Sequence, residues 1–166
     1  MLNKFKGDNA TLPPKADSKS ILLAGLGAAI AISSVALIAD LSNSVLILGS
    51  FGASCVLLFG FPDSPFSQPR NVVGGHFLSA LSGMLALKFL GHSWWSLAIG
   101  LACAVMGMMV TRTVHPPAGS NPVIVYLSQP AWNFLAFPVF LGSLILVLVA
   151  LIYLNIIRDA KYPKYW

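Results

Sequence analysis

Long uninterrupted apolar runs constrain this chain more than any other feature, because a helix rising 1.5 Å per residue needs about 20 such residues to cross some 30 Å of hydrocarbon. They fall at residues 20–39, 72–90, 94–111 and 134–157. Composition agrees: 57% of the 166 residues are hydrophobic and only 9% are charged, where a soluble domain carries about 25%. A water-soluble enzyme is excluded, and a multi-pass membrane protein is expected.

Two further apolar segments are too short or too broken for a regular span. The first, 44–61 (SVLILGSFGASCVLLFGF), is interrupted by glycine and followed by PDSPFSQPRN, a stretch that cannot continue a helix. The second, 116–127, carries Pro116, Pro117 and Pro122 within about a dozen residues. The expected fold is therefore an all-α membrane protein, a compact helical bundle of four full transmembrane helices plus two short segments that are broken or re-entrant. A polar segment (1–19) precedes the membrane domain (20–157), and a basic tail (158–166) follows it.

Charge orients the bundle. Of ten Lys and Arg, seven lie at the two ends of the chain, a distribution that marks topology rather than a nucleic-acid-binding face. If both short segments cross, nine basic residues share one side and only Lys88 lies opposite; if both re-enter, the split is eight against two. If only 44–61 crosses, it falls to six against four. An even number of crossings with both termini cytoplasmic is expected. Trp94, Trp95, Trp132, Tyr153, Tyr162, Tyr165 and Trp166 stand near span ends as an interfacial belt does. Cys55 and Cys103 both lie within apolar runs and give no disulfide framework.

A candidate internal repeat accompanies this pattern. Ser67-Gln68-Pro69 recurs as Ser128-Gln129-Pro130, each time after a broken segment and before a full span. Three elements per half with a broken middle one is the arrangement of inverted-repeat transporters, and chance recurrence is the alternative. Small residues at four-residue spacing (Gly25, Ala29, Ser33; Gly75, Ser79, Gly83; Gly100, Ala104) point to close helix packing, inside the bundle or in a homodimer, and not to a pore lining.

Irregular backbone at membrane depth is tolerated only inside protein or along a wet cavity, so the broken segments are the functional suspects. In HPPAGSNP, Ser120 or Asn121 can cap a half-helix with Pro122 as its first residue, presenting free N–H groups to an anion at Gly119, Ser120 and Asn121; a plain proline-rich turn is the alternative. Between residues 41 and 157 the only carboxylate is Asp63. Intramembrane carboxylates are the usual equipment for moving cations, so an anion pathway fits better. Arg70 and Arg112 flank the broken segments, as anion-drawing groups or as topology signals. His76 and His115 are candidate polar groups of the path, and a satisfied core histidine is the alternative for His76. No metal site, cofactor or hydrolytic triad is expected, since the three histidines lack ligand spacing and Ser54, Ser67 and Ser120 lack an acid partner.

His115-Pro116-Pro117-Ala118-Gly119, together with FGASCVLLFG (51–60) and SPFSQPRNVVGGH (64–76), resembles the HPP family of integral membrane proteins over residues 21–157. The resemblance implies about four spans and, from plastid and bacterial relatives, nitrite transport. Its signature falls on His115, Pro116, Pro117, Ala118 and Gly119, and on Gln68, Pro69, Arg70, Asn71, Gly75 and His76; Ser120 stands where alanine is common. Read together, these features predict a non-enzymatic transporter or channel for a small monovalent inorganic anion, nitrite first, acting as a homo-oligomer in membrane lipid, with a bacterial inner membrane as its home. The expected substrate-binding residues are Arg70, Asn71, His76, Arg112, His115, Gly119, Ser120 and Asn121. Pro116, Pro117, Ala118, Ser67, Gln68 and Pro69 are expected to shape the backbone. The rival reading is a membrane scaffold or accessory subunit.

Overall fold

A computed structural model describes residues 10–43, 47–158 and 160–166. Lys4 and Lys6 of the polar N-terminal segment, residues 44–46 at the start of the first short segment, and Asp159 lie outside the described residues. The described chain is helical, without strands. Helix α1 (Ser18–Ser42) starts where the Asp17 carboxylate accepts the Ser20 N–H at 3.0 Å, and it ends where Asn43 turns left-handed. Helix α2 (Gly49–Cys55) loosens into a π-turn (Val56–Gly60). Helix α3 (Pro69–Leu90), started by a proline at its first position, joins α4 (Trp94–Thr111) through Gly91, whose φ of 75° suits glycine. A 3₁₀ turn (Pro116–Ser120) leads into α5 (Asn121–Ser128). Helix α6 (Leu141–Ile152) is flanked by irregular turns, with Phe137 outside helical geometry, so the last span is regular only in its middle.

Among the described residues, four helical stretches are long and apolar enough to cross a membrane: Ser18–Ser42, Pro69–Leu90, Trp94–Thr111 and Trp132–Ile157. Cross-links between elements show which ends meet. Tyr153 donates to the Leu23 carbonyl at 2.8 Å, Arg158 to the Phe59 carbonyl at 2.6 Å and Arg70 to the Thr111 carbonyl at 3.1 Å. One end of the bundle thus gathers the starts of α1 and α3 and the ends of α2, α4 and α6. At the opposite end His92 stacks on Tyr126, and Lys88 lies 5.3 Å from the Trp132 ring. There α3 and α5 finish and α4 and α6 begin.

Both short segments therefore traverse the bundle in place of re-entering: α2 returns the chain to the end where α3 starts, and α5 carries it from the end of α4 to the start of α6. The helical run Gly49–Gly60 covers only about 18 Å at 1.5 Å per residue. Extended chain such as Leu48 and His115 makes up part of the remaining depth. Among the described residues, Lys15, Lys19, Arg70, Arg112, Arg158, Lys161 and Lys164 belong to the end where α1 starts and α6 finishes, and Lys88 alone to the other.

The core lies where α2, α3, α5 and α6 meet, around Phe51, Leu58, Val72, Val125 and Leu146. Two of the small-residue stripes pack inward as expected, with Gly75, Ser79, Gly83, Gly100 and Ala104 all buried. On α1 the stripe does not pack inside the bundle. Gly25, Ala29 and Ser33 face outward, and Gly27, Ala31, Val35 and Ala39 form the buried stripe. Gly27 is the decisive position, because a β-carbon there would collide with the rings of Phe59 and Tyr153.

Candidate functional site

The first two turns of α3 organise the site. Gly75 brings them against residues 113–115, so closely that a β-carbon at Gly75 would stand 2.8 Å from both His115 Cβ and the Thr113 carbonyl oxygen. That stretch is extended and would leave its carbonyls unpaired in lipid. Side chains of α3 reach a carbonyl within it and one on either side. Asn71 donates to the Val114 carbonyl at 2.9 Å and Ser79 to the Ala118 carbonyl at 2.6 Å, while Arg70 takes the Thr111 carbonyl.

The residues before α3 do the same for the loop that follows α2. Ser67 donates towards the Leu57 and Phe61 carbonyls, and Gln68 donates to those of Pro62 and Ser64. The C-terminal tail closes over them: Tyr162 donates to the Ser67 carbonyl at 2.7 Å, the Lys164 N–H to Gln68 Oε1 at 2.7 Å, and Tyr165 to Asn71 Oδ1 at 3.2 Å. Lys164 also pairs with the exposed Asp63 carboxylate at 2.8 Å.

Beneath this cap α2, α3 and α5 enclose a polar cluster with no exposed surface, made of Ser54, His76, His115 and Asn121. His76 lies seven residues into α3, about 10 Å below its start. Ser54 Oγ is 2.9 Å from His76 Nε2 and 2.8 Å from His115 Nε2, and 3.1 Å from the Ser50 carbonyl oxygen. His115 Nδ1 is 2.7 Å from the Phe66 carbonyl oxygen. Asn121 Nδ2 is 3.1 Å from His76 Nδ1 and 3.0 Å from the His76 carbonyl oxygen. The imidazole rings meet edge-on at 5.0 Å, and Phe51 closes the other side of His76 at 5.2 Å.

Donor and acceptor bookkeeping fixes the protons at both ends of this chain. A carbonyl only accepts, so His115 carries its proton on Nδ1 towards Phe66, leaving Nε2 as an acceptor in the neutral ring. The Asn121 amide must turn its NH2 to the His76 carbonyl, which makes His76 Nδ1 an acceptor and puts the His76 proton on Nε2. Ser54 then accepts from His76 and donates to His115. The result is a one-way chain of four groups, both imidazoles neutral. Two buried side-chain atoms among the described residues have no partner, Asn121 Oδ1 and Ser50 Oγ. Ser50 also lines a groove of about 410 Å³ between α2 and the proline turn, with Ala53, Pro116, Pro117, Ser120 and Ile124.

The residues singled out in the sequence fall into distinct places. His76, His115 and Asn121 come together. Asn71, Ser67, Gln68 and Pro69 build the scaffold above them. Arg70 and Arg112 are exposed at the basic end and do not touch the cluster. Gly119 faces open space, and Ser120 donates to the Pro117 carbonyl instead of capping. The half-helix does start at Asn121, with Ser120 at its cap position and Pro122 in its first turn, but the 3₁₀ turn from Pro116 runs straight into it and the Asn121 N–H bonds the Ala118 carbonyl, so the expected free N–H groups are not presented there. Ser54, the link between the histidines, was not predicted as a site residue. Its signal was the Ser50/Ser54 pair four residues apart on one face of a broken helix. Among the described residues no three His, Cys, Asp or Glu side chains gather as metal ligands.

Comparison with known proteins agrees with this architecture. The family model described as HPP, transmembrane region, matches residues 13–163. Two proteins of Dictyostelium discoideum, each named only as a transmembrane protein, are 37% identical to the chain, one over 98% of it and the other over 73%. The matches cover 56% and 45% of those proteins, so the chain spans about half the length of these relatives. No solved structure matches.

Proposed function

Starting from the fact that this chain belongs to the HPP transmembrane family, we propose that it passes a small monovalent inorganic anion across the membrane, nitrite being the first candidate. The observation that carries this reading is the meeting of both broken traverses at one buried polar cluster that lies under a basic rim and holds no carboxylate. Asp17, Asp40 and Asp63 are all exposed, outside the bundle interior. A metal cation would find no oxygen anion inside to replace its water. An anion meets Arg70 and Arg112 at the rim and then neutral donors such as the Ser50 hydroxyl. Weak, multiple contacts suit an ion that must leave again.

The basic end is then the cytoplasmic one, with both termini there. The proposal includes a homo-oligomer, because six helical segments make a thin wall around a pathway; the mass of the purified protein in detergent tests this. It also takes the protein to be no enzyme, since no carboxylate orients either imidazole for base catalysis. The test of function is uptake into proteoliposomes across nitrite, nitrate, formate, bicarbonate and chloride, with manganese and magnesium alongside. Nitrite uptake above protein-free vesicles is expected. Movement of the divalent cations without any anion would contradict the proposal, and no movement at all would favour a scaffold or accessory subunit.

A further inference from the structure

Resting on that reading, we propose that the anion passes the cluster as its neutral acid, His115 taking up a proton and delivering it, so that the substrates are conjugate bases of weak acids. The two histidines are not equivalent as proton acceptors. A second proton on His76 would go to Nδ1, which already faces the amide hydrogens of Asn121. Turning that amide would set its oxygen against the His76 carbonyl 3.0 Å away. A second proton on His115 goes to Nε2 and is accommodated. The Ser54 hydroxyl swings its hydrogen to the Ser50 carbonyl at 3.1 Å, and Ser54 Oγ then accepts from both rings.

The groups facing His115 leave it the site's own charge switch. Helix α3 contributes His76, and Arg70 a turn and a half nearer the rim. Helix α2 contributes Cys55 beside Ser54. Helix α4 contributes nothing titratable towards it: Cys103 is exposed, and Arg112 lies beyond the helix end. On α5 Tyr126 lies at the far end stacked on His92, and on α6 Tyr153 is bonded to Leu23. No carboxylate among the described residues reaches it.

The unpartnered atoms suit the product of proton transfer. Asn121 Oδ1 is a buried acceptor and Ser50 carries a buried hydroxyl, 0% and 3% exposed as residues. A bare nitrite offers acceptors only and cannot satisfy Asn121 Oδ1. Nitrous or formic acid offers an O–H as well as an acceptor oxygen, so the neutral acid can donate where the bare anion cannot. The step balances as a relay: the His115 Nε2 proton passes to Ser54 Oγ while the Ser54 hydroxyl proton passes to the anion, one N–H bond breaking and one O–H bond forming on the anion, so that imidazolium plus anion become neutral imidazole plus acid with no change of oxidation state. The acid carries the proton onward, and His115 is reloaded from the side on which the next anion enters. Anions of strong acids, chloride and nitrate, cannot accept this proton.

The test uses the full chain in proteoliposomes with a trapped pH dye, rates being taken above protein-free vesicles. Nitrite and formate should enter with about one proton each, at rates that rise as external pH falls from 7.5 to 5.5, and chloride should not enter. His115→Gln should lose at least tenfold of the protein-dependent uptake at pH 5.5 and flatten what remains. Ser54→Ala, which keeps both imidazoles, should weaken the pH response. Protein-dependent nitrite uptake without internal acidification, or chloride uptake at a comparable rate, would overturn this inference while leaving anion transport intact. Absence of uptake for every anion would overturn both.

Discussion

Replacing Gly75 with alanine tests the packing that brings the two histidines together. The added methyl would stand 2.8 Å from His115 Cβ and 2.8 Å from the Thr113 carbonyl oxygen. An ordinary contact begins near 3.4 Å, so the 113–115 stretch must retreat by roughly 0.6 Å. Neither neighbour is the free end of a flexible side chain, and Asn71, Ser79 and Phe66 tie the stretch on either side. Overpacking of this kind costs about 1–3 kcal/mol. For a chain of this size each kcal/mol lowers Tm by about 2–4 °C, so a fall of about 5 °C is expected. Thermal exposure of the buried Cys55 thiol, in a Cys103→Ser background that removes the exposed cysteine, supplies the assay. Gly25→Ala is the control, because its β-carbon meets nothing and helix propensity favours alanine by about 1 kcal/mol. A Gly75→Ala protein that melts with or above the Gly25→Ala protein would refute the close approach and, with it, the geometry of the cluster.

Three other outcomes follow from the same structure. Gln68→Ala removes three hydrogen bonds from a fully buried amide, among them those to the carbonyls of the half-buried Pro62 and Ser64; a loss of about 3 kcal/mol and earlier proteolysis of the tail are expected. Burial raises the Tyr162 phenol above its ordinary value, so it stays protonated where an unfolded tyrosine ionises. The fold then binds the extra proton, and stability falls as pH rises past about 10; Tyr162→Phe should shrink that alkaline loss in melts at pH 9 and 11. Single cysteines at Lys164 and Lys88 should react with an impermeant thiol reagent from opposite sides of the membrane, and labelling from the same side would break the six-traverse topology.

Much of this architecture was legible in the sequence because length and composition act directly in a bilayer: four runs near 20 residues became the four long helices, and glycine and proline marked the two broken traverses. Which face of a helix packs inward was harder. In lipid the outer face is apolar too, so α1 carries no polar stripe to exclude the Gly25, Ala29 and Ser33 side; only the rings of Phe59 and Tyr153 against Gly27 decide it. The histidines could be picked out because polar groups at that depth need partners. Their partner could not: Ser54 in GAS looks like a packing residue until α2 and the extended chain before Pro116 are brought together. Gln68 and Asn71 were expected to shape the backbone and to bind substrate, respectively, and both satisfy carbonyls of irregular chain, a role set by contacts 4 to 43 residues away in sequence. The half-helix starts where expected, at Asn121, but without free N–H groups for a local reason: His115 is extended and two prolines follow it, opening a 3₁₀ turn that runs into α5.

The central claim is that the path runs through the Ser54, His76, His115 and Asn121 cluster, and the most direct measurement is nitrite uptake by Asn121→Leu. Leucine keeps the volume of the amide while removing both the hold on His76 and the free acceptor. With equal, monodisperse protein in each vesicle preparation, uptake should fall at least tenfold relative to the unaltered chain, while Lys88→Gln at the opposite end of the bundle should transport normally. Normal uptake by Asn121→Leu would contradict the account.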